Sequence, residues 1–136
     1  MSRSDAKAIV RRLFDDGWNQ KKTEELHEYI SERNIITGLL EMGPAGPDEY
    51  RNSMKPWHIG FPEFKYHVEA IVSENDLVSV RTTFTGTHRG PFTFGPRSFP
   101  PTDKAISVPE IFFFRVADGQ TASFGVTVES NGIGAS

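Results

Sequence analysis

The chain has 136 residues, 37% of them hydrophobic, enough for one globular domain over 1–136 with a real core and little room for a second. Fifteen basic and eighteen acidic residues leave a net charge of −3 with no Lys/Arg run, so nucleic acid and anionic membranes are poor partners and a small apolar molecule is a better one. The lack of cysteine excludes a disulfide framework, and charges scattered through residues 1–12 exclude an export signal; with no stretch approaching a membrane span, the sequence reads as cytoplasmic.

Ala6, Ile9, Val10, Leu13, Phe14, Gly17 and Trp18 recur at helical spacing behind Ser2 and Ser4 and predict an opening amphipathic helix. A second, short helix follows from Thr23, read as its N-cap, through Leu26, Tyr29 and Ile30, and an extended piece covers residues 34–40. Residues 43–47 break the chain. Pro47 suits the first position of a third helix carrying Tyr50, Met54 and Trp57 on one side, which Pro56 should end or kink. Beyond Phe61 the pattern turns to strands at 64–72, 77–87, 106–116 and 121–128, and helices followed by antiparallel strands make the fold class α+β. The segment 89–105, rich in Pro, Gly and Phe, is too long for a tight turn; it either covers the mouth of a cavity or packs Phe92, Phe94 and Phe99 into the core. The tail 131–136 is expected to fray.

The strand at 106–116 carries the best functional clue. Ile106, Val108, Glu110, Phe112, Phe114 and Val116 share one face, so a carboxyl points where its neighbours are buried. Such a group must find a donor, bind water in a cavity or stay protonated with a raised pKa, and the last two describe a general acid or base. Two alternatives stand beside this: Pro109 could bulge the strand and turn Glu110 to solvent, or an inward Arg81 could hold it. His88 continues the face of Val78, Val80, Thr82 and Phe84, which would place it inward as a donor or as a partner for Glu110. Trp18, Tyr50, Met54 and Trp57 are candidates for a helical pocket wall, with Tyr50 able to bond a carbonyl or enol, although core packing is the default for each. His27, His58 and His67 lack partners at metal-ligand spacing, so no metal is expected, and Glu129 falls outside the inward parity of Phe124, Val126 and Val128. On the other face of the same strand Ile111 and Phe113 are apolar, which a second copy of the chain or its own C-terminal segment would cover.

The strings AIVRRLFDDGWNQ (8–20), FPEF (61–64), FTGTHRG (84–90), PPTDKAISV (100–108) and ADGQ (117–120) fall in an order that resembles the SnoaL-like polyketide cyclases over nearly the whole chain. The resemblance implies a cone-shaped α+β barrel of the nuclear transport factor two-like superfamily, with N-terminal helices packed on a curved antiparallel sheet. It also implies a cofactor-free, often dimeric enzyme of natural-product biosynthesis that closes a carbocycle by an intramolecular aldol step. The acid/base aspartate of those cyclases corresponds to Val126, and a family histidine to Phe112. With both replaced by hydrocarbon, either Glu110 has taken over proton transfer or the pocket works by shape, as a pericyclic, Diels–Alder-type closure would allow. The expected pocket is lined by Trp18, Tyr50, Met54, Trp57, Phe84, Phe112, Phe124 and Val126, with Glu110 and His88 polarising a hydrophobic substrate. An isomerase or epoxide hydrolase of the same fold and a non-catalytic binding protein are the competing functions.

Overall fold

A computed structural model describes residues 3–38, 43–94 and 96–128. The opening helix α1 (Arg3–Arg12) buries Ala6 and Val10, then widens into a π-helical segment, Leu13–Asn19, whose backbone closes with the Gln20 amide on the Asp15 carbonyl at 3.2 Å. The apolar stripe read as one α-helix is therefore two helical geometries in series. The wider turn brings Leu13, Phe14, Gly17 and Trp18 inward together. Gly17 lets this segment approach α2 closely: a Cβ there would meet a methyl of Leu26 at 3.1 Å, and that side chain would have to shift by a few tenths of an ångström. A 3-10 turn, Thr23–Glu25, leads into α2 (Leu26–Tyr29). Thr23 was expected as the N-cap, but Lys22 holds that position and no side chain caps it. The Thr23 carbonyl instead accepts both Nε and Nη2 of Arg51, at 3.1 and 2.8 Å.

β1 (Ile30–Gly38) begins four residues before the expected extended piece and pairs with the two-residue β2 (Gly43–Pro44). α3 (Pro47–Gly60) starts with proline in its first turn, but Pro56 does not end it. Pro56 removes one donor from the helix ladder, and the helix continues because Tyr50 and Met54 before it and Phe61 after it are anchored in the core. The remaining strands are β3 (Lys65–Glu74), β4 (Leu77–Thr87), β5 (Phe92–Phe94), β6 (Arg97–Phe99), β7 (Ala105–Ala117) and β8 (Gln120–Val128). Two tight turns are spelled by their residues: Asn75 takes φ 56 between β3 and β4, and Asp118 and Gly119 take φ 53 and 79 between β7 and β8.

Six strands form one sheet in the order β2-β1-β8-β7-β4-β3, and β5 and β6 form a separate hairpin. The sheet is mixed rather than wholly antiparallel as expected, because β1 runs parallel to β8 while every other neighbour is antiparallel. Parallel pairing needs a long connection, and α3 with the strands β2 to β7 supplies it. The sheet does not close; β2 and β3 are its two edges, and the helices fill the concave side. Asn34 fastens the junction of β1, β8 and α3. Its Nδ2 donates to the Ala45 carbonyl at 3.2 Å and its Oδ1 accepts the Thr121 hydroxyl at 3.3 Å, so this buried amide is satisfied at both ends.

The segment expected as a cover is the β5/β6 hairpin. Its base is tied by His88 N to the Lys104 carbonyl (2.9 Å), Asp103 N to the His88 carbonyl (2.8 Å), and Arg89 N and Gly90 N to the Gly60 carbonyl (3.1 and 3.2 Å). Phe92 packs inward against the core, whereas Phe99 is 42% exposed and so is not core. Leu39, Leu40, Glu129, the tail 131–136 and the side chain of Phe94 lie outside the described residues. No helix among the described residues is long and apolar enough to cross a membrane.

Candidate active site

Register alone assembles the inner face of the sheet into rows. Val80, Phe112 and Val126 stand side by side on β4, β7 and β8, and Thr82, Glu110 and Val128 form the next row. Tyr66, Phe84 and Val108 form the one beyond that. All of these residues except Val80 and Thr82 floor a cavity of about 350 Å³, within the range of small-molecule sites. Tyr50, Met54 and Trp57 of α3 make its helical wall, and Phe92 of the hairpin, Ile106 of β7 and Phe124 of β8 complete its lining. Rings touch throughout: Tyr66 and Phe84 at 5.1 Å, Tyr50 and Phe124 at 5.6 Å, Tyr66 and Phe112 at 5.7 Å, and Trp57 and Phe92 at 4.8 Å between centroids.

Within this hydrocarbon lining stands the Glu110 carboxyl, 8% exposed, its Oε1 without a hydrogen-bond partner among the described residues. Burial pushes its pKa up from 4.5 to about 7. Neither alternative weighed from sequence applies. The β4–β7 ladder runs unbroken through Pro109, which stands opposite Thr83, so no bulge turns Glu110 outward. Arg81 stands opposite Ile111, on the outer face. Tyr50 and Tyr66 are buried in the same lining, and burial first, then the nearby Glu110 charge, hold both phenols well above their ordinary pKa, so they are neutral donors.

Of the residues expected to line the pocket, Tyr50, Met54, Trp57, Phe84, Phe112, Phe124 and Val126 do so. Trp18 does not: it lies one layer behind, stacked on Tyr50 at 5.7 Å and tilted against Tyr66 at 5.1 Å, with its Nε1 buried and unpartnered among the described residues. His88, expected inward beside Glu110, is also outside the lining. β4 ends at Thr87, and the backbone of His88 turns to Lys104; its ring stacks on Phe61 at 5.2 Å and its Nδ1 lies 3.1 Å from the Thr102 hydroxyl. Sequence reasoning missed Tyr66, Ile106, Val108 and Val128 as lining, and it left Phe92 open between a cavity cover and core packing. Ile106 and Val108 share the face of Glu110 and Val128 that of Val126, so parity could have found them. Tyr66 owes its place to Asn19, whose Nδ2 donates to the Tyr66 carbonyl at 2.8 Å and whose Oδ1 accepts the Tyr66 amide at 2.7 Å. No group of three His, Cys, Asp or Glu that could hold a metal occurs among the described residues.

The family model of the SnoaL-like polyketide cyclases matches residues 8–124. The chain belongs to this family. Solved structures place it in the same fold. A proposed SnoaL-like polyketide cyclase from Jannaschia sp. CCS1 is 25% identical, with a TM-score of 0.79 over 98% of this chain and 91% of that one. AclR, a proposed hydroxylase from Streptomyces galilaeus, is 21% identical, with a TM-score of 0.78 over 97% and 80%. IdmH, a proposed polyketide cyclase from Streptomyces antibioticus, is 21% identical, with a TM-score of 0.75 over 96% of each. No curated protein sequence matches the chain. The family is one of polyketide cyclases on the α+β fold of nuclear transport factor two, and the site described above is what this chain builds on that fold.

Proposed function

We infer that this SnoaL-like chain is a cyclase that folds a polyketide-type intermediate inside the aromatic cavity and closes a carbocycle, with Glu110 as its proton-transfer group. The observation that carries this is an unpartnered carboxyl, poised at about 7, in an otherwise hydrocarbon lining. A carboxyl with that pKa is divided between acid and base near neutrality. As carboxylate it takes a proton from a carbon next to a carbonyl; the resulting enolate carbon bonds to a second carbonyl carbon of the same molecule; the new alkoxide takes the proton back from Glu110. The neutral Tyr50 and Tyr66 phenols are the donors available to the oxygen on which charge gathers. His88 has no part in this step.

A second reading rests on Phe112 and Val126, which face each other across β7 and β8 and put hydrocarbon where the family resemblance places acid/base groups. With those groups gone, a pericyclic closure driven by substrate conformation alone is served by the same walls. One experiment separates the readings. Incubation with a linear polyketide-type intermediate returns a product of equal mass with a new ring, and Glu110→Gln lowers kcat by a factor of about 10²–10⁴ if Glu110 moves the proton. An unchanged kcat removes the acid/base step and leaves the pericyclic one; recovery of unaltered ligand from both proteins removes the enzyme and leaves a binding protein. The expected homodimer would form through the outer sheet face, where Phe113 is 53% and Ile111 38% exposed.

A further inference from the structure

The cavity has an electrostatic character whose consequence for ligand charge goes beyond either closure reaction. Among the described residues its lining contains no Lys, Arg or His, and the titratable groups are Glu110 on β7, Tyr50 on α3 and Tyr66 on β3. Thr82, beside Glu110 on β4, donates its hydroxyl to the Glu110 carbonyl at 3.3 Å and so does not compensate the carboxyl. The surrounding rings form a continuous set. Trp57 meets Phe84 at 5.8 Å, Phe84 meets Tyr66 at 5.1 Å, Tyr66 meets Phe112 at 5.7 Å, and Phe112 and Tyr50 each meet Phe124, at 6.4 and 5.6 Å. Ring faces carry negative electrostatic potential, so a ring that turns its face to the cavity acts with the same sign as the carboxyl.

We propose that this cavity binds compact hydrophobic ammonium ions, with the Glu110 carboxylate as counter-charge and the ring faces of Tyr50, Trp57, Tyr66, Phe84, Phe112 and Phe124 as a cage. The inference does not rest on the cyclase reading; it follows from an unpaired buried carboxyl among aromatic walls. An anion is repelled by both elements. A cation loses its hydration shell but gains a carboxylate in a medium of low polarity together with several ring faces, the combination that favours alkylated ammonium groups over hydrated ones.

Proton linkage reads this out directly. A cationic ligand favours ionised Glu110 and expels its proton, whereas an apolar ligand that displaces water favours the protonated form and draws a proton in. The experiment is titration calorimetry of the whole chain with benzyltrimethylammonium and with its uncharged isostere neopentylbenzene, each in two buffers of different ionisation heat. The ammonium ion is expected to bind with release of up to about half a proton at pH 7 and none at pH 9, and to bind about tenfold more tightly at pH 8 than at pH 6, since Glu110 titrates near 7. Glu110→Gln should weaken the ammonium ion by tenfold or more and abolish the proton release. Absence of ammonium binding at pH 8, binding without proton release at pH 7, or undiminished affinity in Glu110→Gln overturns the inference. Binding of neopentylbenzene alone, with proton uptake, overturns it while leaving the apolar cavity of the cyclase reading intact. Failure of both probes removes both.

Discussion

Burial holds the Glu110 carboxyl at about 7 in the folded chain against 4.5 when exposed, and this fixes the sign of a stability change with pH. Between those values the folded state binds more protons than the unfolded one, so stability that is full below 4.5 is lost as pH rises through 7, on the order of 2–3 kcal/mol for this group. Urea denaturation of the wild-type chain and Glu110→Gln at pH 5 and pH 8 isolates it. The wild type should lose that much more than the variant, and parallel losses would show that the carboxyl has a partner. Glu110 was legible in the sequence because a strand hides nothing of its parity: one charged residue among five apolar ones at period two announces itself. Trp18 and His88 were misplaced for reasons that parity does not encode. Trp18 lies a layer behind Tyr50 and Tyr66, a depth that helical spacing does not encode, and His88 follows the end of β4 by one residue.

Elements were read best where the pattern is local. The span 77–87 coincides with β4, and the Asp118-Gly119 turn marks the β7–β8 hairpin, because alternation and turn chemistry act over neighbouring residues. The parallel seat of β1 was not legible, since Ile30 and Thr121 meet across most of the chain and nothing near either residue specifies the other. The π-helical segment was hidden too, its buried residues being spaced as an ordinary helix would space them. That segment has a measurable task. Asn19, at its end, supplies both hydrogen bonds to the backbone of Tyr66 on the edge strand β3, so Asn19→Ala should cost about 1–3 kcal/mol and speed hydrogen exchange of the Tyr66 amide in NMR. Undisturbed exchange at Tyr66 would mean that β3 holds its place without it. The hairpin has a comparable pivot at Gly90, where a Cβ would overlap the Ile59 carbonyl oxygen. Gly90→Ala should lift β5 from α3, and Trp57, 4.8 Å from Phe92, should report this as red-shifted fluorescence while the far-UV circular dichroism is kept. An unshifted spectrum would show that the backbone absorbs the methyl.

At the scale of the molecule, the two faces of the sheet do different work. The concave side holds the helices and the cavity, while Phe113, Ile111, Val72 and Ile35 are exposed. By register, Phe113, Ser79 and Val72 lie in one row of the outer side, two exposed apolar side chains flanking a serine. If a second copy covers it, Phe113→Lys should convert a sedimenting dimer of the chain into a monomer without changing its melting profile by more than the lost association explains. A wild-type chain that sediments as a monomer at all concentrations would remove the dimer. The mixed sheet also has a consequence in time. β1 leaves the ribosome early and finds its neighbour β8 only after about ninety further residues, a wait of roughly 5–20 s at ordinary synthesis rates. Until then the strand destined for the interior of the sheet has only the two-residue β2 beside it, so a nascent chain arrested before residue 120 should be the form that chaperones hold and proteases cut.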